Sequence, residues 1–549
     1  MEENRVETKI SASGSDRACV GSELENRASQ VAENRRHDFS ARDCVFAWIS
    51  FVAGYLLCRV IPVAKKPLGA FLFIIVLFAV SFAVFLSKGK RLKPSAFVAA
   101  AVSVALSASF ILSGNGRLNS WNLLLCFALY LYFVYSATGS DISNGFSNLI
   151  AGDFLRALFI FPFCSFGSIY RAAFSGKSSG GVKIFGKIML GLAISIVPTV
   201  VVIILLSYDS AFSEIISEVL SFRKIDIFSN IWSIILGVPI GMYIFGLYAS
   251  SVSGKYEGIA NAEKLYGVAE ACHFASAATV GAALIPLLAV YCIFFISQWQ
   301  YYISGFEGIL PKEFSYAEYA REGFFQLLAV SVINLVIIVA AVVFTKRKTN
   351  RSPIALRVIS VLYALATLVL VSTALAKMKM YIENYGLTVK RVFSSAFMIA
   401  IAVIFILITV KQFAPSFKVI PLSLAVSVAV MATLAFANVG DIVVTYNVER
   451  YISNDLSTVD IAATYELGNA AVPELTELAK TLDQRYGGDI TSERTVRASA
   501  ETRKLYVDLR NRLNYAVDRL ESDDGGLFCW DVSKLKARSA LKEIGFEIE

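Results

Sequence analysis

Gln298-Trp-Gln-Tyr-Tyr-Ile-Ser-Gly-Phe-Glu-Gly-Ile-Leu-Pro-Lys-Glu-Phe-Ser-Tyr-Ala-Glu-Tyr-Ala-Arg-Glu-Gly-Phe-Phe-Gln-Leu327 is a polar passage between two long apolar runs. A chain that alternates in this way leaves a membrane and re-enters it. The re-entry point is legible. Pro311 blocks a helix upstream, Ser315 can cap a new one, and Glu318 three residues on completes a capping box. From Tyr316 a helix is expected to run through Gly323 into the apolar segment 324–345. Tyr316 and Tyr319 suit the headgroup layer, where a ring with a polar tip settles.

Outward from this passage the same alternation repeats. Of 549 residues 56% are hydrophobic and 17% charged, against about a quarter charged in a soluble chain. The excess falls in separate blocks of spanning length, which requires helices whose backbone groups are satisfied internally. Eleven spans are expected, at 44–63, 68–86, 95–112, 121–138, 184–206, 231–250, 277–297, 324–345, 354–376, 393–410 and 420–438. The fold class is therefore all-α, a polytopic transmembrane helical bundle with a small C-terminal helical domain.

Three regions follow. Residues 1–42 are polar and aperiodic and are expected as a disordered leader; no cleaved signal peptide is expected. Residues 43–439 form the transmembrane core, and 440–549 a soluble helical domain with helices over 472–482, 491–522 and 532–543. The net charge of +8 hides a contrast, because 43–439 holds 30 basic and 15 acidic residues while both tails are slightly acidic. Basic loops against anionic lipid headgroups account for this, and no nucleic-acid partner is expected. With an N-terminus in the cytoplasm, 21 Lys/Arg fall on that side and 12 opposite, which favours N-in and C-out in a bacterial cytoplasmic membrane. The segment 146–168 carries Asp153 and Arg156 and is broken by Pro162, so a helix lying in the interface is expected there rather than a span.

Tyr316-Ala-Glu-Tyr-Ala-Arg-Glu-Gly-Phe-Phe-Gln-Leu327 resembles the signature of a family of multi-pass bacterial membrane proteins catalogued as a domain of unknown function. Leu205-Leu-Ser-Tyr-Asp-Ser-Ala-Phe212 is similar to another of its motifs. So are Tyr381 with Tyr385-Gly-Leu-Thr-x-x-Arg391, and Tyr446-Asn-Val-x-Arg450 followed by Asp460 and Ala471-Val-Pro-x-Leu475. The resemblance covers roughly 180–480 and implies no activity. Each motif follows an odd-numbered span, so Asp209, Tyr316, Glu318, Arg321, Tyr381, Tyr385, Arg391, Arg450 and Asp460 are expected on one, extracytoplasmic, face. The plainer account is local: Glu318 and Arg321 as a helix pair, Gly386 as a left-handed cap.

Pro198, Pro239 and Pro286 lie near the middle of three successive spans, where a broken helix can line a cavity. No Asp or Glu lies inside the spans as drawn, which argues against an ion-driven pump. Gly176-Lys177-Ser178 lacks the first glycine of a phosphate loop. Two histidines and no C-x-x-C pair leave no expected metal site or cofactor, and no catalytic set is complete. The expectation is a non-enzymatic docking or sensing platform with an envelope protein as partner. A transporter or lipid-handling protein, and a membrane enzyme on lipid-linked substrates, stand as alternatives.

Overall fold

A computed structural model describes residues 39–61, 63, 65–87, 89, 92–113, 116–142, 147–173, 195, 202, 206, 226–253, 273–297, 316–346, 354–414, 416–492, 497–522 and 526–548; for 116–117, 226–231, 316–323 and 325 it describes the backbone alone. Among the described residues ten helices are long and apolar enough to cross a membrane. They lie within α1 (Ala41–Val60), α2 (Pro67–Ser87), α3 (Pro94–Leu112), α4 (Gly116–Ala137), α5 (Asp226–Ser253), α6 (Ala277–Ser297), α7 (Tyr316–Phe344), α8 (Ile354–Tyr385), α9 (Val389–Phe413) and α10 (Val419–Phe436). The expected fifth span, 184–206, falls outside the described residues except at isolated positions. Pro67 and Pro94 start their helices, where a missing N–H costs nothing. The leader as drawn overlaps α1 by two residues, 41 and 42, because Ser40 and Asp43 form a capping box that starts the helix there.

Contacts fix which end of the bundle each terminus occupies. The Tyr248 hydroxyl donates to Asp43 at 2.6 Å, Arg42 donates to the Ser87 carbonyl, and the Ser95 and Ser136 hydroxyls lie 2.6 Å apart. The starts of α1 and α3 and the ends of α2, α4 and α5 therefore share one end, the first end. In the second group Tyr363 donates to the Leu284 carbonyl at 2.8 Å and Asn334 to Thr367 at 2.8 Å, which sets α7 antiparallel to α6 and α8. α10 joins the groups: its Leu424, Val428 and Ala432 pack on the first core, and the Ile420 N–H donates to Asn148 at 3.3 Å. α10 thus begins at the first end. Tyr385, Phe436 and all that follows lie at the second.

The segment expected as one interfacial helix over 146–168 is several short pieces: Ile150–Leu155, a π turn over Arg156–Ile160, Phe161–Cys164 and Ser168–Ala173. Pro162 is the physical cause. It has no N–H to offer residue 158, and the Leu158 carbonyl is taken instead by the Tyr243 hydroxyl of α5. Ser250 of α5 likewise donates to the Phe161 carbonyl at 2.7 Å. Asp153 accepts from the Ile142 N–H at 2.9 Å, and Cys44 donates to the Ala173 carbonyl at 3.3 Å, so both ends of the segment sit at the first end. α5 begins at the second end, and Ala173 lies at the first.

After α10, Asn438 takes a left-handed conformation (φ 45°) and the chain turns into α11 (Val439–Ile452). The last span is expected to end at 438, and no helix is expected over 439–452. α12 (Val472–Tyr486) ends at Gly487 with φ 65°, as a left-handed glycine cap should. α13 (Ala500–Glu521) starts later than the expected 491, because Ser499 accepts from the Thr502 N–H and caps it. α14 (Val532–Glu543) coincides with its expected range. Val443 and Val444 of α11, Leu475 and Leu478 of α12, Leu509 and Leu513 of α13 and Leu541 of α14 share one core, against which Leu387, Val389 and Phe393 pack.

One titration is built into this cluster. Burial, with Asp441, Glu477 and Glu449 around it, pushes the Glu474 carboxyl above the ordinary carboxylate range. The folded state therefore holds this proton more tightly than the unfolded chain, and its stability falls as pH rises through the folded value. Glu474→Gln is expected to raise Tm at neutral pH, with the gain vanishing below the ordinary carboxylate range. A pH series of melting curves checks it; a gain that grows on acidification contradicts it.

Candidate functional site

The expected polar face is built at the second end by the turn between α8 and α9. Gly386 has φ 77°, which suits glycine, and a Cβ there would meet the Asn447 Oδ1 at 2.5 Å. Asn447 of α11 reaches in through that opening. The Leu387 N–H donates to its Oδ1 at 2.6 Å, and its Nδ2 donates back to the Leu387 carbonyl at 2.8 Å. Arg391 lies 3.8 Å over the Tyr381 ring and donates to the carbonyls of Tyr385, at 3.0 Å, and Gly386. Arg450 donates to the Glu383 carbonyl at 2.7 Å and to the Tyr446 hydroxyl at 3.2 Å.

Tyr381, Tyr385, Arg391 and Arg450 are thus brought together, and the two guanidiniums hold backbone carbonyls. Asp460 stands apart from this set in its bonding: it caps the short helix Ile461–Thr464 through the Ala463 N–H at 3.1 Å. Asp209 and Ser315 lie outside the described residues. Tyr316, Glu318 and Arg321 are placed by backbone only, at the start of α7. The Asn334–Thr367 bond is equally far along the helices from Tyr316 and from Tyr385, so α7 begins at the level where α8 ends.

Of the three prolines expected at a cavity, two lie among the described residues. Pro198 lies outside the described residues. Pro239 sits between Gly237 and Gly241, whose bare Cα atoms face α1. A Cβ on Gly237 would lie 2.7 Å from the Tyr55 Cα, and one on Gly241 2.8 Å from the Ser50 carbonyl oxygen. Gly237-Val-Pro-Ile-Gly241 is a small-residue helix contact, closed rather than hollow. Pro286 lies on an exposed face of α6.

Two features escaped the sequence pattern. At the first end Asp43 and Asp153 are buried inside the apolar bundle, and Asp141 pairs with Lys93. Asp43 takes the Tyr248 hydroxyl and both the N–H and hydroxyl of Ser40. Asp153 takes the Tyr135 hydroxyl at 3.1 Å, and the buried Arg156 lies 4.7 Å over the Phe161 ring. Ser40-x-x-Asp43 was readable as a cap; the tyrosines, distant in sequence, were not. The second feature is a groove of about 800 Å³ between α1 and α2, apolar except for Tyr55, Arg59 and Lys66, with Phe528 at its rim.

A family model described as "Domain of unknown function (DUF4153)" matches residues 72–478. That range begins well before the roughly 180–480 over which the motifs run. No curated protein and no solved structure matches the chain.

Proposed function

For this chain, which belongs to the DUF4153 family and is an integral multi-pass membrane protein, we propose the role of a non-enzymatic docking or sensing platform in a bacterial envelope. On this proposal the first end faces the cytoplasm, and the second end carries α11–α14 outside as a fixed surface for an envelope protein. The carrying observation is the two-way bond between Asn447 and Leu387. Together with the Arg450 contact to the Glu383 carbonyl it holds the tail to the end of α8 and the turn after it, while Arg391 braces that turn from within. Such an arrangement supports rigid presentation rather than proton or group transfer, since the guanidiniums are committed to carbonyls.

The test is release of the tail. In Asn447→Ala/Arg450→Ala, protease in the medium is expected to cut within 453–460 while the bundle stays intact, and a photo-crosslinker at the exposed Tyr515 is expected to lose a discrete adduct seen in the parent protein. Each lost backbone bond is worth about 1–3 kcal/mol, enough to shift docking markedly. Unchanged protease resistance, or no adduct in the parent, sinks the proposal.

A further inference from the structure

The groove between α1 and α2 has a polarity that runs along its length. Among the described residues its lining holds two cations, Arg59 and Lys66, and no carboxylate. Both sit at the second end, in the last turn of α1 and in the turn before α2. The rest of the trough is apolar, and Val52 and Val76 are each 54% exposed along it. From Arg59 to Val45, both in the lining, the helix runs about 21 Å at ~1.5 Å per residue. That exceeds half of a hydrocarbon core of about 30 Å. An apolar trough as deep as one leaflet, with positive charge only at its interfacial mouth, has the shape and charge order of an anionic phospholipid.

Two further observations bear on the mouth. Phe528 packs beside Gly69 at the start of α2, where a Cβ on the glycine would lie 3.4 Å from the Phe528 Cβ, in ordinary contact. Phe528 is flanked by Leu527 and Trp530, all exposed, and such residues settle in the headgroup layer. In the proposed orientation, moreover, this is the side on which basic residues are scarcer. Two cations facing one trough there fit a bound anion better than a general attraction to the leaflet.

We infer that the groove binds one anionic phospholipid, its phosphate on Arg59 and Lys66, an acyl chain between α1 and α2, and Phe528 over the headgroup end. This stands apart from the docking role and survives or fails separately.

The test uses the full chain in nonionic detergent, with phosphatidylglycerol and phosphatidylcholine as probes and native mass spectrometry as readout. Phosphatidylglycerol is expected to remain bound where phosphatidylcholine does not. Arg59→Gln/Lys66→Gln is expected to weaken it roughly 30-fold, as two interfacial cations at about 1 kcal/mol each imply. Val76→Trp, which fills the trough and leaves both cations, is expected to lose the lipid as well, and the exposed Lys65→Gln to keep it. Phosphatidylglycerol is also expected to raise the Tm of the parent protein where phosphatidylcholine does not, a readout that needs no variant. Equal retention of both lipids, unchanged binding in the double variant, or displacement by glycerol phosphate overturns the inference, the last by pointing to a free phosphate site.

Discussion

Asp153→Ala is expected to destabilise the bundle by about 2–4 kcal/mol, the cost of leaving two buried donors without their acceptor. Asp153 is fully buried, at 0% exposure, and Arg156 one turn on is 3% exposed, its guanidinium over Phe161 and Tyr135. The carboxylate accepts from the Ile142 N–H and the Tyr135 hydroxyl, so its removal orphans two donors. Asp153→Ala/Arg156→Met is expected to recover part of the loss only to the extent that the two buried groups, three residues apart and not in direct contact, act on each other through space. Melting curves of the two single variants and the double form a thermodynamic cycle. If the two losses simply add, the charges are not coupled. Asp153→Asn, which keeps an acceptor, should fall between.

Gly237→Val is also expected to be poorly tolerated. Its Cβ would enter the α1 backbone, 2.7 Å from both the N and the Cα of Tyr55. Side chains can rotate out of an overlap, whereas a helix backbone can only retreat, so α1 and α5 must separate. A cost of about 3 kcal/mol or more follows, at the upper end for overpacking. Gly241→Val, meeting the Ser50 carbonyl and the Phe51 Cα, should behave alike. Gly281→Ala on α6 is the control: its Cβ would meet only the tip of Ile359 at 3.6 Å, and little change is expected. Detergent-solubilised yield and Tm across the series check the ranking. A Gly237→Val protein as stable as Gly281→Ala would mean that α1 and α5 are not in backbone contact.

These two sites show where pattern and packing part. Gly237-Val-Pro-Ile-Gly241 advertises a break, because a proline inside a helix is visible one residue at a time. Whether the break opens a cavity or closes a contact depends on the neighbour, and α1 lies some 180 residues earlier in the chain. The Asp153–Arg156 stretch is similar. Charges in an apolar run can lie at an interface or face inward, and only the partners Tyr135, Ile142 and Phe161 decide it.

What the chain alone determined is what a bilayer imposes locally: apolar blocks of spanning length, prolines at helix starts, glycines where the backbone turns left-handed. Each depends on neighbours a few residues away and on a solvent that leaves no alternative to helices. Hence α6, α8 and α14 could be drawn from composition and periodicity, and Gly386 recognised as a cap. The tertiary structure decided which helices touch, and so what the polar residues do. It turned Arg391, Arg450 and Asn447 toward carbonyls of a single turn, and set two cations at the mouth of an apolar groove. Those relations join residues tens to hundreds of positions apart, and no local rule encodes them, because the free energy that selects them comes from close packing between helices already formed.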